Sequence, residues 1–330
     1  MNSRSSRYGD RLHMRYIDIA GIDRPVSVIG LGTTSKIFTP AGDDTVAGLI
    51  DAYLAAGGNC IDTAHIYGFG ESEKALGRWL EHSGRRDDIV LVTKGCHPRV
   101  DEAGHFGPPR VNAQAIRNDL SESLERLGID HVDLYLLHRD DETVPPGPLV
   151  EALNEEIVNG RITAFGASNW TVERIALANE YAAEHLLTGF AASSPGLSLP
   201  RPVEMQFPGT LFADDDTRRW HADTQMPVFA WTSLAAGFAS GRFRSDDTEV
   251  DESTRAFFSE ENFERMRRAQ EVAEAHSASA LQVALAFVLG QEYPVVALVG
   301  PSKVENLHSG LGALEVELTP DEMRYLDLET

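Results

Sequence analysis

Four side chains able to move or steer a proton fall at or just past the ends of successive apolar runs. Asp62 follows Gly58-Asn59-Cys60-Ile61, and Tyr67 comes shortly after it in Asp62-Thr63-Ala64-His65-Ile66-Tyr67. Lys94 ends the run Ile89-Val90-Leu91-Val92-Thr93, and His138 ends Val132-Asp133-Leu134-Tyr135-Leu136-Leu137. A free phenol has a pKa of about 10 and is a poor proton donor near neutrality. A cation within about 4–6 Å favours the phenolate and lowers that value. The lysines are Lys36, Lys74, Lys94 and Lys303, and of these Lys94 is the one a neighbouring strand end supplies. Asp62 can aim Lys94 through an ion pair, and His138 can orient a substrate oxygen through a ring N–H or share in proton delivery. The chemistry this set offers is general acid catalysis by Tyr67. Plainer readings exist: an ordinary loop tyrosine, a satisfied structural histidine, or a barrel lyase or isomerase using Lys94 as a Schiff-base amine. The last needs a desolvated lysine that is not paired to Asp62.

Such a set needs a scaffold that brings strand ends together. Val26–Ile29 reads as the first strand, with Gly30-Leu31-Gly32-Thr33-Thr34 as its exit loop. Residues 1–25 read as an N-terminal extension with a small hairpin closing the barrel bottom. Helical spacing of apolar residues predicts helices over Asp44–Ala56, Glu71–His82, and 111–127, the last stopped by Gly128. Further strands are expected at Ile162–Phe165, Gly189–Ala192, Val228–Trp231 and Val295–Val299. Helices are expected between them at 148–158, 172–184 and 216–223, and then at 260–275 and 280–289. A long loop is expected from Ala235 to Asp251. Thr319-Pro320-Asp321-Glu322 reads as the capping box of a final helix. Strands alternating with helices, with no linker or composition break, predict an α/β chain with one (β/α)8 TIM-barrel domain over residues 1–330. In that fold the carboxyl ends of the strands carry the chemistry.

Composition narrows the partners. A hydrophobic share of 42% with 24% charged residues is globular. The net charge of −22 argues against binding nucleic acid or an anionic membrane. No apolar run of about 18 residues appears, and Met1–Asp10 lacks the apolar core of a signal peptide, so a cytoplasmic chain is expected. Two cysteines make no disulfide framework. Cys60 reads as a core residue and Cys96 as a bystander near the site. No metal site is expected, and the oligomeric state is open.

Gly30-Leu31-Gly32-Thr33, Asn59-Cys60-Ile61-Asp62-Thr63-Ala64 with Tyr67-Gly68 and Gly70-Glu71-Ser72-Glu73, Val92-Thr93-Lys94, Asp133–His138, and Gly166-Ala167-Ser168-Asn169 stand in one order, each at an expected strand end. Together they resemble the aldo-keto reductase family, in a bacterial-type subgroup, over nearly the whole chain. The resemblance implies carbonyl–alcohol interconversion with a nicotinamide dinucleotide, NADP(H) before NAD(H), and a small-molecule carbonyl substrate. It assigns catalysis to Asp62, Tyr67, Lys94 and His138. It gives Ser168 and Asn169 to the nicotinamide carboxamide, Trp231 to stacking on the ring, and Thr232 and Leu234 to the pyrophosphate. Gly32, Thr33 and Thr34 are expected beside the cofactor as well. A cofactor-binding regulatory or subunit protein of the same fold is the alternative; the intact set of four favours catalysis.

Gly300-Pro301-Ser302-Lys303 follows the last expected strand and opens a helix, where backbone N–H groups and the helix dipole favour an anion. Ser302 and Lys303 add a hydroxyl and a charge, and no Gly-x-Gly-x-x-Gly fingerprint competes. The chain departs from the family pattern in three places. Ser194 replaces a glutamine, Leu307 stands where an arginine would clamp a 2′-phosphate, and Ser309-Gly310 replace an acid–Asn pair. Arg242 or Arg244, on the long loop, are candidates to compensate. His65, Arg139, Asp140, Asp141 and Asn169 beside catalytic positions suggest a polar rim, and with it a hydroxylated substrate such as a keto sugar.

Overall fold

The computed structural model describes residues 13–34, 37–39, 42–101, 104–205 and 207–329. Lys36 and the first part of the expected N-terminal extension lie outside them. Eight parallel strands close into a barrel: β3 (Ile29–Gly32), β4 (Cys60–Asp62), β5 (Val90–Gly95), β6 (Val132–Leu137), β7 (Ile162–Ser168), β8 (Ser193–Ser194), β9 (Val228–Ala230) and β10 (Val295–Val299), with β10 pairing back onto β3. The outer ring holds α1 (Asp43–Ala55), α2 (Glu71–Ser83), α3 (Ala113–Leu127), α4 (Pro146–Val158), α5 (Val172–Glu184), α6 (Asp215–Thr224), α8 (Glu260–His276), α9 (Ala280–Leu289) and α10 (Val304–Leu311). The short α7 (Glu252–Arg255) precedes α8, and α11 (Pro320–Leu326) ends the described chain.

Side chains alternate between the two faces of a strand, and that alternation builds both core and site. Cys60, Val90, Val92, Leu134, Leu136, Ala164, Phe229 and Val296 fill the barrel interior. Ile61, Leu91, Tyr135, Leu137, Phe165 and Ala297, their chain neighbours, face the helices. Continuing the inward row past the packed layers reaches Asp62 after Cys60, Lys94 after Val92, His138 after Leu136, and Trp231 after Phe229. The polar residues are thus the open top layer of an otherwise apolar column.

Helix ends follow local chemistry. The Asn112 side chain accepts from the Ala115 N–H at the start of α3, and Gly128 closes it at φ 66°. The Thr319–Glu322 capping box forms reciprocally.

Two expected strands shift. Val26–Ser27 (β2) pairs antiparallel with Tyr16–Ile17 (β1) in the hairpin, and the barrel strand begins only at Ile29, where β10 provides its partner. Gly30, Leu31 and Gly32 are therefore strand, not exit loop. The strand expected at Gly189–Ala192 starts later because the Asn179 side chain occupies the backbone of Phe190. Its Oδ1 accepts from the Phe190 N–H at 2.7 Å, and its Nδ2 donates to the Phe190 carbonyl at 3.4 Å. The ladder to β7 opens with the Ala191 N–H donating to the Phe165 carbonyl. The long loop after β9 is partly ordered into a 3-10 turn, Ala235–Ser240.

Candidate active site

The Lys94 ammonium lies 2% exposed at the top of the barrel. It donates to Asp62 Oδ1 at 2.5 Å, to the Thr63 carbonyl at 3.0 Å and to the Tyr67 hydroxyl at 3.1 Å. Its three donors are thus all committed. Burial alone pushes its charge off, but Asp62 and Tyr67 more than offset this, and its pKa stays above the ordinary lysine value. That is not the desolvated, unpaired amine a Schiff base asks for.

Tyr67 departs from expectation. Desolvation raises its pKa, Lys94 pulls it down, Asp62 raises it again, and the balance lies above 10. The cation does not bring the phenol toward neutrality; Tyr67 remains a proton-loaded donor.

The loop carrying Tyr67 is held from behind. Tyr67–Gly70 forms a kinked 3-10 turn in which Gly68 and Phe69 sit at φ 57° and 55°. Arg126 of α3 donates to the His65 carbonyl at 2.8 Å and to the fully buried Glu73 at 3.1 Å. Thr93, next to Lys94, donates to the other Glu73 oxygen at 2.8 Å. Gly70 has no room for a side chain: a Cβ there would stand 2.7 Å from the Arg126 guanidinium carbon, at φ 93°.

His138 stacks edge-on to Tyr67, with ring centroids 5.6 Å apart. Burial, then Arg139 and Lys94, push its pKa well below the usual histidine value, so the ring is neutral, with one N–H and one lone pair. Its Nδ1 is buried without a partner among the described residues. His97 packs 5.0 Å from it and is the residue that sequence reading missed. It stands three residues beyond Lys94, past the end of the expected strand. Burial and Arg139 hold its pKa down to about 4.

His97 makes the fold acid-sensitive. A depressed pKa contributes stability that is fully present above the unfolded value of about 6.5 and is lost as pH falls toward 4. One pKa unit is worth about 1.4 kcal/mol, so this histidine alone accounts for a loss on the order of 3 kcal/mol. Urea unfolding at pH 7.5 and pH 4.5 checks this: His97→Gln should lose less stability on acidification than the wild type.

These groups open into one cavity of about 1080 Å³ that runs from Tyr67 and His138 past Trp231 to the start of α10. All four catalytic candidates line it, as do Gly32, Thr34, Ser168, Asn169, Trp231, Thr232, Leu234, Gly300 and Ser302. Thr33, Ser194 and Lys303 are not among its lining residues. The Thr33 hydroxyl is spent on Thr63 at 2.9 Å and that of Ser194 on the Phe229 carbonyl at 2.8 Å; Lys303 is exposed at the N-cap of α10. Arg242 lines the cavity, whereas Arg244 faces Asp246 in solvent. Leu307, Ser309 and Gly310 form its far wall with Asn306, a second residue sequence reading missed.

Ser168 donates to the Ser194 carbonyl at 2.8 Å. The Asn169 amide donates to the His138 carbonyl and accepts from the Leu211 N–H. The helix cap there is Thr171.

The wall from Trp231 to Gly237 is strained. Thr232, Ala235 and Ala236 take φ of 56°, 49° and 51°, a conformation that costs non-glycine residues energy and collects at functional sites. Gly196 lets Trp231 pack down: a Cβ there would lie 3.0 Å from its ring and 2.3 Å from Phe212. The Trp231 Nε1 is buried without a partner among the described residues.

The rim is less polar than the sequence suggests. His65 turns to Glu122 at 2.7 Å, and Asp140 is held by Arg174 at 2.6 Å; neither they nor Asp141 line the cavity. Ile66, Phe69, Val100, Phe106 and Phe207 do. Cys96 is buried in the outer core, and burial drives its thiol pKa up.

Comparison with known proteins agrees with this geometry. The aldo/keto reductase family model matches residues 28–328. Aldo-keto reductase str7 of Strobilurus tenacellus is 29% identical, over 90% of this chain and 84% of its own. The aldo-keto reductase yakc [NADP(+)] of Schizosaccharomyces pombe is 27% identical, over 89% and 85%. The glycerol dehydrogenase AKR11B4 from Gluconobacter oxydans superposes with a TM-score of 0.80, at 26% identity and 94% coverage of both chains. An aldo/keto reductase from Klebsiella pneumoniae, solved with NADP and acetate, shares the fold at TM-score 0.71 and 23% identity, over 96% and 95%. With its closed eight-stranded barrel and its lysine-centred site, the chain belongs to the aldo/keto reductase family of NAD(P)-dependent oxidoreductases.

Proposed function

We propose that this enzyme reduces an aldehyde or ketone to the alcohol with NADPH, with Tyr67 as proton donor and the whole chain acting as one barrel domain. The observation that carries the reading is the Lys94 ammonium held at once by Asp62 and the Tyr67 hydroxyl. A dinucleotide fits the cavity. Its volume stands at the upper end of ligand sites, about 300–1,000 Å³, and it joins an unpartnered indole N–H to a helix start. Trp231, Ser168 and Asn169 would hold the nicotinamide end and Ser302 and Asn306 the far end; the bound cofactor supplies the hydride.

The residues do the rest. The neutral His138 ring orients the carbonyl oxygen with its N–H. As negative charge builds on that oxygen, Tyr67 passes its proton to it, and Lys94 stabilises the tyrosinate that remains. Asp62 keeps Lys94 charged and aimed. The name of the yakc relative supports NADP(H). A cytoplasmic location belongs to the same proposal, and cell fractionation tests it. A scan of carbonyls with NADPH and NADH, followed by cofactor absorbance, tests the activity; oxidation of neither cofactor with any carbonyl would overturn it.

We assign the reading of the 2′-phosphate to Arg242 in place of Lys303. Arg242 lines the cavity and Lys303 does not. An exposed charge contact is worth roughly 1 kcal/mol, or about fivefold in affinity. Arg242→Ala should weaken NADPH binding by about that factor and spare NADH, while Lys303→Ala changes neither. Fluorescence titration of both cofactors decides; equal weakening by Arg242→Ala would remove the assignment.

A further inference from the structure

Arg139 is buried at the top of the barrel, 7% exposed, between the catalytic groups and the loop at Gly209. Among the described residues its guanidinium makes one hydrogen bond, from NH1 to the His138 carbonyl at 2.9 Å, and its Nε is buried with no partner. Among the described residues no carboxylate stands within ion-pair distance of it. The neighbouring Asp140 is taken by Arg174 at 2.6 Å. In a chain with a net charge of −22, a counter-ion was readily available to this position, yet none is placed there. Burial lowers its pKa to about 10, so it stays cationic at neutral pH.

An uncompensated buried charge is costly. It persists where a ligand completes it, and the planar fork of an arginine matches a carboxylate or phosphate through paired hydrogen bonds. Arg139 lines the same cavity as Tyr67 and His138, and Val100, Phe106 and Phe207 give that cavity apolar walls.

We propose that Arg139 receives an anionic oxygen group, a carboxylate or a phosphate, carried by the carbonyl substrate, so that the enzyme selects oxo acids or phosphorylated aldehydes over neutral carbonyls. This rests on the carbonyl-reductase reading. The reaction is balanced as before. Hydride adds to the carbonyl carbon, the Tyr67 proton goes to its oxygen, the cofactor is oxidised, and the anionic group takes no part beyond binding.

The experiment compares kcat/KM within matched pairs: 4-carboxybenzaldehyde against methyl 4-formylbenzoate, and glyceraldehyde 3-phosphate against glyceraldehyde. The wild type should favour the anionic member of at least one pair by about tenfold or more, and the pair that responds identifies the anion. Arg139→Met should bring that ratio toward one, with Arg139→Lys between. A wild type that reduces the neutral members as well as the anionic ones overturns the proposal, and this measurement needs no variant. A loss in Arg139→Met that is equal for both members of a pair also overturns it, since a purely structural role predicts that. Turnover of none of the four by an enzyme that reduces other carbonyls would overturn the proposal and leave the reductase reading standing; oxidation of neither cofactor with any carbonyl would overturn both.

Discussion

Tyr67→Phe should lower kcat for carbonyl reduction by about 10²–10⁴-fold and leave cofactor affinity nearly unchanged. The substitution removes one oxygen and keeps the ring that packs edge-on to His138. Lys94 loses one of three acceptors but keeps Asp62 and the Thr63 carbonyl, so the ion pair beneath survives. The hydroxyl is the group positioned to protonate a substrate oxygen in the deep end of the cavity. The raised pKa of the phenol makes this a sharper test. The donor is fully protonated across the neutral range, so the wild-type rate should not fall between pH 6 and 8 for lack of a tyrosine proton. Single-turnover reduction and a Trp fluorescence titration of NADPH separate the two effects. Near wild-type turnover in the variant would remove Tyr67 as the acid; lost cofactor binding would make its role one of shaping the pocket.

The barrel and its reactive layer were legible because both follow from a period of two. Once Val90-Leu91-Val92 is read as a strand, its alternation places Lys94 on the same face as Val92, and the same count places Asp62 with Cys60 and His138 with Leu136. What escaped the count were contacts that depend on where a loop returns. His97 enters the cavity from a loop with no repeating pattern, and Asn306 from α10, a helix that was expected but whose facing was not read. The directions of His65, Asp140 and Lys303 were also beyond reach. His65 and Asp140 lie next to catalytic positions in the chain, but each is drawn away by a charged partner on a helix, Glu122 and Arg174. The slipped strand at β8 has the same origin. The Asn179 side chain answers the backbone of Phe190, and no local propensity announces that. The pKa of Tyr67 went the other way from expectation because the sequence shows the nearby cation but not the depth at which the hydroxyl is desolvated.

Lys94→Met should be the most damaging single substitution in the site, through stability and catalysis together. Asp62 is 2% exposed, and among the described residues its Oδ2 already lacks a partner. Removing the cation leaves a buried carboxylate uncompensated, which costs roughly 3–5 kcal/mol. Because burial already raises the Asp62 pKa, the lone carboxyl would take up a proton to limit that cost. Lys94→Met with Asp62→Asn should therefore recover much of the stability while recovering none of the activity. The pH dependence has a definite sign. The Lys94 pKa is raised in the fold, so the stability from the pair is full below the unfolded value of about 10.4 and is lost as pH rises through the folded one. Carbonyl reduction needs the protonated phenol, so its rate also falls on the alkaline side, as pH passes the Tyr67 pKa. Lys94 pulls that pKa down; without it the alkaline limb moves further up, and the rate at neutral pH drops because the tyrosinate has lost its stabilising charge. Urea unfolding of the wild type, single and double variants, with a pH–rate profile of each, measures both effects. A Lys94→Met protein as stable as the wild type, with an overlapping pH profile, would mean that the ammonium neither supports Asp62 nor tunes Tyr67.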